Sequence, residues 1–194
     1  MKKLLTFALI AAVTVGMTGC KTPEEAKAKA QQPLFEKFQK MSTKTLENGG
    51  IAVVGLGESK SLELALQKAK MRGRVELAQL LETKIEAIQK DFIEEVGRAD
   101  EAQILAQFET TAKTITSQQI QGSVAKELKY ETIGDTITAY ALMELDPKII
   151  MTQLAKEKEL YTRFRASQAF EELDKEIQKY EAYKKEQANA LMAK

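Results

Sequence analysis

Cys20 is the single cysteine of this chain, and histidine and tryptophan are absent. With no imidazole there is no Ser-His-Asp or Cys-His nucleophile, no His-ligated zinc and no histidine proton switch near neutral pH. One cysteine also forbids an intramolecular disulfide. The remaining candidates are adjacent carboxylates, Glu94 with Glu95 and Glu171 with Glu172. Sequence neighbours on a helix point apart, and a carboxylate hydrolase needs two such groups across a cleft with pKa values driven apart. Gly55-x-Gly57 lacks the third glycine of a dinucleotide loop, and no Gly-Lys-Ser/Thr follows. The expectation is a protein that is not an enzyme, with no catalytic residue, no metal ligand and no cofactor.

The chemistry left is that of the Cys20 thiol. Lys2 and Lys3 form a positive front, Leu4 to Val15 an apolar run broken only by Thr6 and Thr14, and Gly16 to Gly19 a mostly small segment. That is the three-part plan of a secretory signal peptide, too short to span a hydrocarbon core of ~30 Å. Met17-Thr18-Gly19-Cys20 resembles a bacterial lipobox, with Met17 where leucine is usual. The resemblance implies that the thiol receives a diacylglycerol and that cleavage leaves Cys20 at the new N-terminus. Residues 1–19 are therefore expected to be a lipoprotein signal peptide and Cys20 the lipidation site. Two or more acyl chains, palmitate or similar, would give lasting membrane attachment. The alternative, an ordinary leader and an incidental cysteine, leaves an exported thiol unexplained. Lys21, rather than aspartate, follows the cysteine, which by resemblance to the enterobacterial sorting pattern implies the outer membrane. A terminal Lys194 resembles that of the peptidoglycan-linked lipoprotein; an ordinary terminal lysine is the preferred reading.

Removal of 19 residues leaves 175 of 194, enough for one domain with appendages. Without Lys2 and Lys3, 27 of the 29 basic side chains face 28 acidic ones. Near neutrality supplies no basic field for nucleic acid, so no such partner is expected.

The elements behind the anchor follow from spacing. Residues 20–47 read as a polar tether to Gln32, then a short docking helix from Pro33 with Leu34, Phe35, Phe38 and Met41 on one side. Asn48-Gly49-Gly50 is a break, and Ile51 to Gly57 a β-branched strand whose glycines let a neighbour lie close. Ser59 or Ser61 caps a helix with Ala65, Ala69 and Gly73 in a small row and Leu77 and Leu80 beyond. Gly73 inside a helix costs about 1 kcal/mol, offset by close packing on a sheet. Arg72 and Arg74 read as surface positions in preference to an anion site. Thr83 to Val96 fits a helix or a bulged strand, and Gly97 ends it. Asp100 caps a helix carrying Ile104, Phe108, Ala112 and Ile115. Val124 to Leu145 is a hairpin around Gly134-Asp135, with Ile137, Ala139, Ala141, Met143 and Leu145 on one face. Asp146-Pro147 opens a final helix to Lys194, with Phe170, Leu173, Ile177, Tyr180, Lys184, Gln187 and Leu191 as a weak coiled-coil stripe.

Three stretches resemble a bacterial lipoprotein family: Ile51-Ala-Val-Val-Gly-Leu-Gly57, Ala65-x-x-x-Ala69-Lys70-x-Arg72 running into Leu77-Ala78, and Leu142-Met143-Glu144-Leu145-Asp146. The family is typified by the twenty-kilodalton Helicobacter lipoprotein antigen and includes flagellar P-type outer-membrane lipoproteins. It implies a strand within 84–93 and brings no catalytic residues.

The expected architecture is α+β: a small mixed sheet with packed helices, in the order β-α-β-α-β-β-α. Residues 48–150 form the domain and 151–194 a long charged helix. The expected function is that of a lipid-anchored cell-envelope lipoprotein of the outer membrane, structural or protein-binding, in an assembly associated with the flagellum. Its partners would be the membrane, through acyl chains on Cys20, and a protein or second copy at the C-terminal helix. The alternative is a periplasm-facing module binding a small ligand or lipid between helix and sheet.

Overall fold

A computed structural model describes residues 23–96 and 102–193. Cys20 and its motif, the Gly97 stop, the Asp100 cap and Lys194 lie outside the described residues. The elements in order are α1 (Pro23–Glu47), β1 (Ile51–Ser59), α2 (Leu62–Val96), α3 (Ala102–Gly122), β2 (Ala125–Ile133), β3 (Thr136–Leu145), α4 (Lys148–Leu154), α5 (Lys158–Phe164) and α6 (Gln168–Met192). The class is α+β, and its sheet has the order β1-β3-β2.

Both strand pairs are antiparallel, so the sheet is not mixed in strand direction. Two features impose this. Ile133 and Thr136 pair across Gly134-Asp135, the expected two-residue turn, with Gly134 at φ +58°. Ile51 pairs with Leu145 and Ser59 with Ile137, which places β3 in the centre.

The strand expected within 84–93 is instead the interior of α2. Leu77, Leu81, Ile85, Ile88 and Phe92 are buried along one side of that helix. Spacings of three and four bury every one of them at once, which a period of two cannot do. This half of α2 extends past the sheet, and α3 to α6 cover it. Ile104, Phe108 and Ile115 come from α3, Ile150 and Leu154 from α4, Leu160 and Phe164 from α5, and Leu173 and Ile177 from α6, all in one continuous core.

The other half of α2 lies on the sheet. A Cβ added to Gly55 would fall 2.1 Å from the Ala69 carbonyl oxygen, and one on Gly57 2.2 Å from that of Ala65. Helix and strand backbones touch there, as the small row anticipates. On the opposite face α1 packs Leu34, Phe38 and Met41 over Ala52, Val54, Tyr140 and Leu142. The described part of 20–47 is a single helix that continues through Pro33, built on residues of high helix propensity upstream of the docked turns.

The stretch after Pro147 is three helices rather than one. The long C-terminal helix is α6; before it, chain direction changes at 155–157 and again at 165–167. The breaks let Leu160 and Phe164 bury in a register shifted from that of Leu173 and Ile177. Ser167 then caps α6, its hydroxyl oxygen accepting from the Phe170 amide.

Candidate functional site

The described surface holds no cluster of three metal-ligating side chains, and no described helix is long and apolar enough to cross a membrane. Cys20 aside, the sequence-level candidates can be placed. Gly55 and Gly57 sit mid-strand under α2, where no phosphate has room. Arg74 donates from Nε and Nη2 to the Ser123 carbonyl, both at 3.3 Å, tying α2 to the start of the hairpin. Arg72 donates to the Leu56 carbonyl at 3.1 Å and Lys68 to that of Glu58 at 3.0 Å. The Ser42 hydroxyl donates to Ala52 at 2.8 Å. These three acceptors lie on the outer side of β1, so the side chains close an edge that would otherwise invite another strand.

Of the candidate carboxylates, Glu94, Glu95 and Glu172 share a groove that Glu171 does not line. Asp91, Glu94, Glu95 and Glu172 line one open groove between the end of α2 and the start of α6. Glu95 accepts from the Gln168 amide at 2.8 Å, which satisfies a helix N-terminus, and Glu172 accepts from the Gln168 side chain at 3.0 Å. The Glu95 bond ties the end of α2 to the start of α6. A second groove of about 480 Å³ lies between α2 and α3, with Ile85 and Ala112 beneath Glu82, Glu86 and Lys113.

The densest polar constellation was not legible from sequence spacing. The Glu144 side chain, 6 % exposed, forms an ion pair with Lys126 and accepts from the Tyr180 hydroxyl. Burial first, then the hydrogen bond to Glu144, holds the Tyr180 phenol well above its usual range. Lys184 pairs with Asp146 and lies 4.9 Å from the Tyr180 ring centre, a cation–π distance. Lys44 of α1 stands 5.5 Å over Tyr183, and Lys148 pairs with Glu181 at 2.8 Å. The one sequence signal was Glu144 itself, an acid between Met143 and Leu145.

This constellation fastens α6 across the end of the sheet. The apolar stripe Leu173, Ile177, Tyr180 and Tyr183 is buried within the chain, so what α6 still presents is Leu191 and Met192. No family model matches the chain, and no curated protein or solved structure shows significant similarity to it.

Proposed function

We propose that the protein is a lipid-anchored cell-envelope lipoprotein with a structural or protein-binding role. The observation that carries this reading is the Lys2-Lys3 front, the apolar run and Met17-Thr18-Gly19-Cys20, ending in the only thiol of the chain. The folded part is compatible with it. Several of its charged side chains, Lys126, Glu144, Lys184 and Asp146 among them, hold α6 to the end of the sheet. Outer-membrane placement rests on Lys21 after the cysteine. A flagellar assembly is the narrower form and rests on the family resemblance alone. Replacing Cys20 by serine releases the protein from membranes into the soluble fraction; full retention of Cys20→Ser with membranes rejects the anchor. A deletion strain with normal swimming and intact motors rejects the flagellar form.

A second reading, a module for a small or lipidic ligand, has the α2–α3 groove in its favour. The space between α2 and the sheet first expected for such a ligand is closed by the contact of Gly55 with Ala69 and Gly73. A native mass spectrum of purified protein free of bound small molecules counts against it.

A further inference from the structure

We propose that β2 is a dimerisation edge, through which two copies of this chain pair antiparallel about Tyr130 and join their sheets into one. The edges of this sheet are not treated alike. On β1, the outward carbonyls of Ala52, Leu56 and Glu58 are taken by Ser42, Arg72 and Lys68. On β2, the Ile133–Thr136 pair closes the turn, so Glu127, Lys129 and Glu131 direct their backbone groups to β3. Leu128, Tyr130 and Thr132 then turn theirs outward, and no described strand meets them. Tyr130 is 54 % exposed on this edge.

The strand is complementary to itself in one usable register. A two-fold axis at Lys129 would oppose Lys129 to its own copy and Glu127 to Glu131, which like-charge repulsion disfavours. An axis at Leu128 would draw the bulge between Ala125 and Glu127 into the ladder. An axis at Tyr130 pairs the outward residues Leu128 and Thr132 with one another's copies and leaves the bulge outside. It also sets Lys129 opposite the partner's Glu131, twice by symmetry.

The course of α6 suits this register. The helix crosses the strand ends in sheet order. Tyr180 lies against Gly50 before β1 and bonds Glu144 of β3, and Gln187 accepts from Lys126 of β2 at 3.3 Å. Strands lie ~4.8 Å apart and a helix rises ~1.5 Å per residue, so one further strand position falls three to four residues after Gln187. Leu191 stands there and Met192 one residue beyond, both exposed. Pairing about Tyr130 brings the partner's Gly134–Asp135 turn to the level of Lys126, over these two side chains.

The test is the association state of the purified full chain in detergent, by sedimentation, with circular dichroism reporting the fold. The expected result is a dimer whose Kd rises about tenfold in Lys129→Glu, where two attractive cross-strand pairs become repulsive. The swap Lys129→Glu with Glu131→Gln, which lifts the repulsion and keeps an acceptor for the Tyr140 hydroxyl, returns the Kd toward the original value. A monomer at every concentration, or a dimer indifferent to Lys129→Glu, overturns the proposal. Loss of dimer that the swap does not rescue, in a folded protein, overturns the Tyr130 register.

Discussion

Gly55 of β1 and Gly73 of α2 meet backbone to backbone: a Cβ on Gly55 would stand 2.4 Å from the Gly73 nitrogen. This contact joins the sheet to the longest helix, and it leaves Gly55 no room for a side chain. The two glycines are not equivalent. A Cβ on Gly73 would meet the Met143 side chain at 2.6 Å but Gly55 only at an ordinary 3.4 Å. Gly55→Ala is expected to destabilise by about 3 kcal/mol, since backbone must move. Gly73→Ala should cost about 1–2 kcal/mol, less than Gly55→Ala, because the buried Met143 side chain rather than backbone must shift and alanine is the better helix former. Urea denaturation of both variants measures the difference; equal losses would contradict the packing described.

Tyr140 and Tyr180 predict a loss of stability in alkali. Both phenols are held well above their usual range, chiefly by burial and then by hydrogen bonds to Glu131 and Glu144 respectively. In the unfolded chain they ionise near pH ~10. Below that pH the native and unfolded states hold the same phenolic protons and this contribution is fully present. Above it the unfolded state loses protons that the native state keeps, so stability falls by up to about 1.4 kcal/mol per pH unit for each tyrosine. Urea midpoints between about pH 9 and 11 should fall less steeply in Tyr180→Phe than in the parent. An unchanged slope would show that Tyr180 is not protected.

Lys126→Met tests the fastening of α6. It leaves the Glu144 carboxylate, 6 % exposed, without its cation. A fully enclosed pair would lose 3–5 kcal/mol, but Lys126 is 42 % exposed and water can partly replace it, so about 2 kcal/mol is expected. Thermal unfolding of this variant provides the measurement, and no change would place Glu144 in solvent.

Phe164 of α5 holds the other half of the molecule. Its ring centre lies 5.8 Å from Phe92, 6.3 Å from Phe108 and 5.7 Å from Phe170, all edge-on. Phe164→Ala is expected to cost about 4 kcal/mol and to loosen α5 and α6 from α2. Amide exchange that accelerates in residues 158–175 while β3 stays protected would support this.

What could be read in advance was what short-range chemistry decides. Gly134-Asp135 announces a two-residue turn, and Ala65, Ala69 and Gly73 announce a close approach, because single residue types are sufficient cause. The 84–96 stretch was ambiguous because its few apolar side chains satisfy two periods, and only burial against α3 to α6 selects the helix. The breaks at 155–157 and 165–167 carry neither glycine nor proline. They arise where Leu160 and Phe164 must turn toward a core built elsewhere. The Lys126–Glu144–Tyr180 cluster joins residues far apart in the chain, and no spacing rule reaches that distance. In α6 the stripe ending at Leu191 was visible, but its first half, Leu173, Ile177 and Tyr180, is buried against this chain's own helices and the end of β3.

The sulfur of Cys20 decides the central claim. Intact-mass analysis of protein extracted from cell envelopes is expected to give a polypeptide beginning at Cys20 with a diacylglyceryl thioether and a further acyl chain. A mature chain of the same length bearing a free thiol would contradict the account.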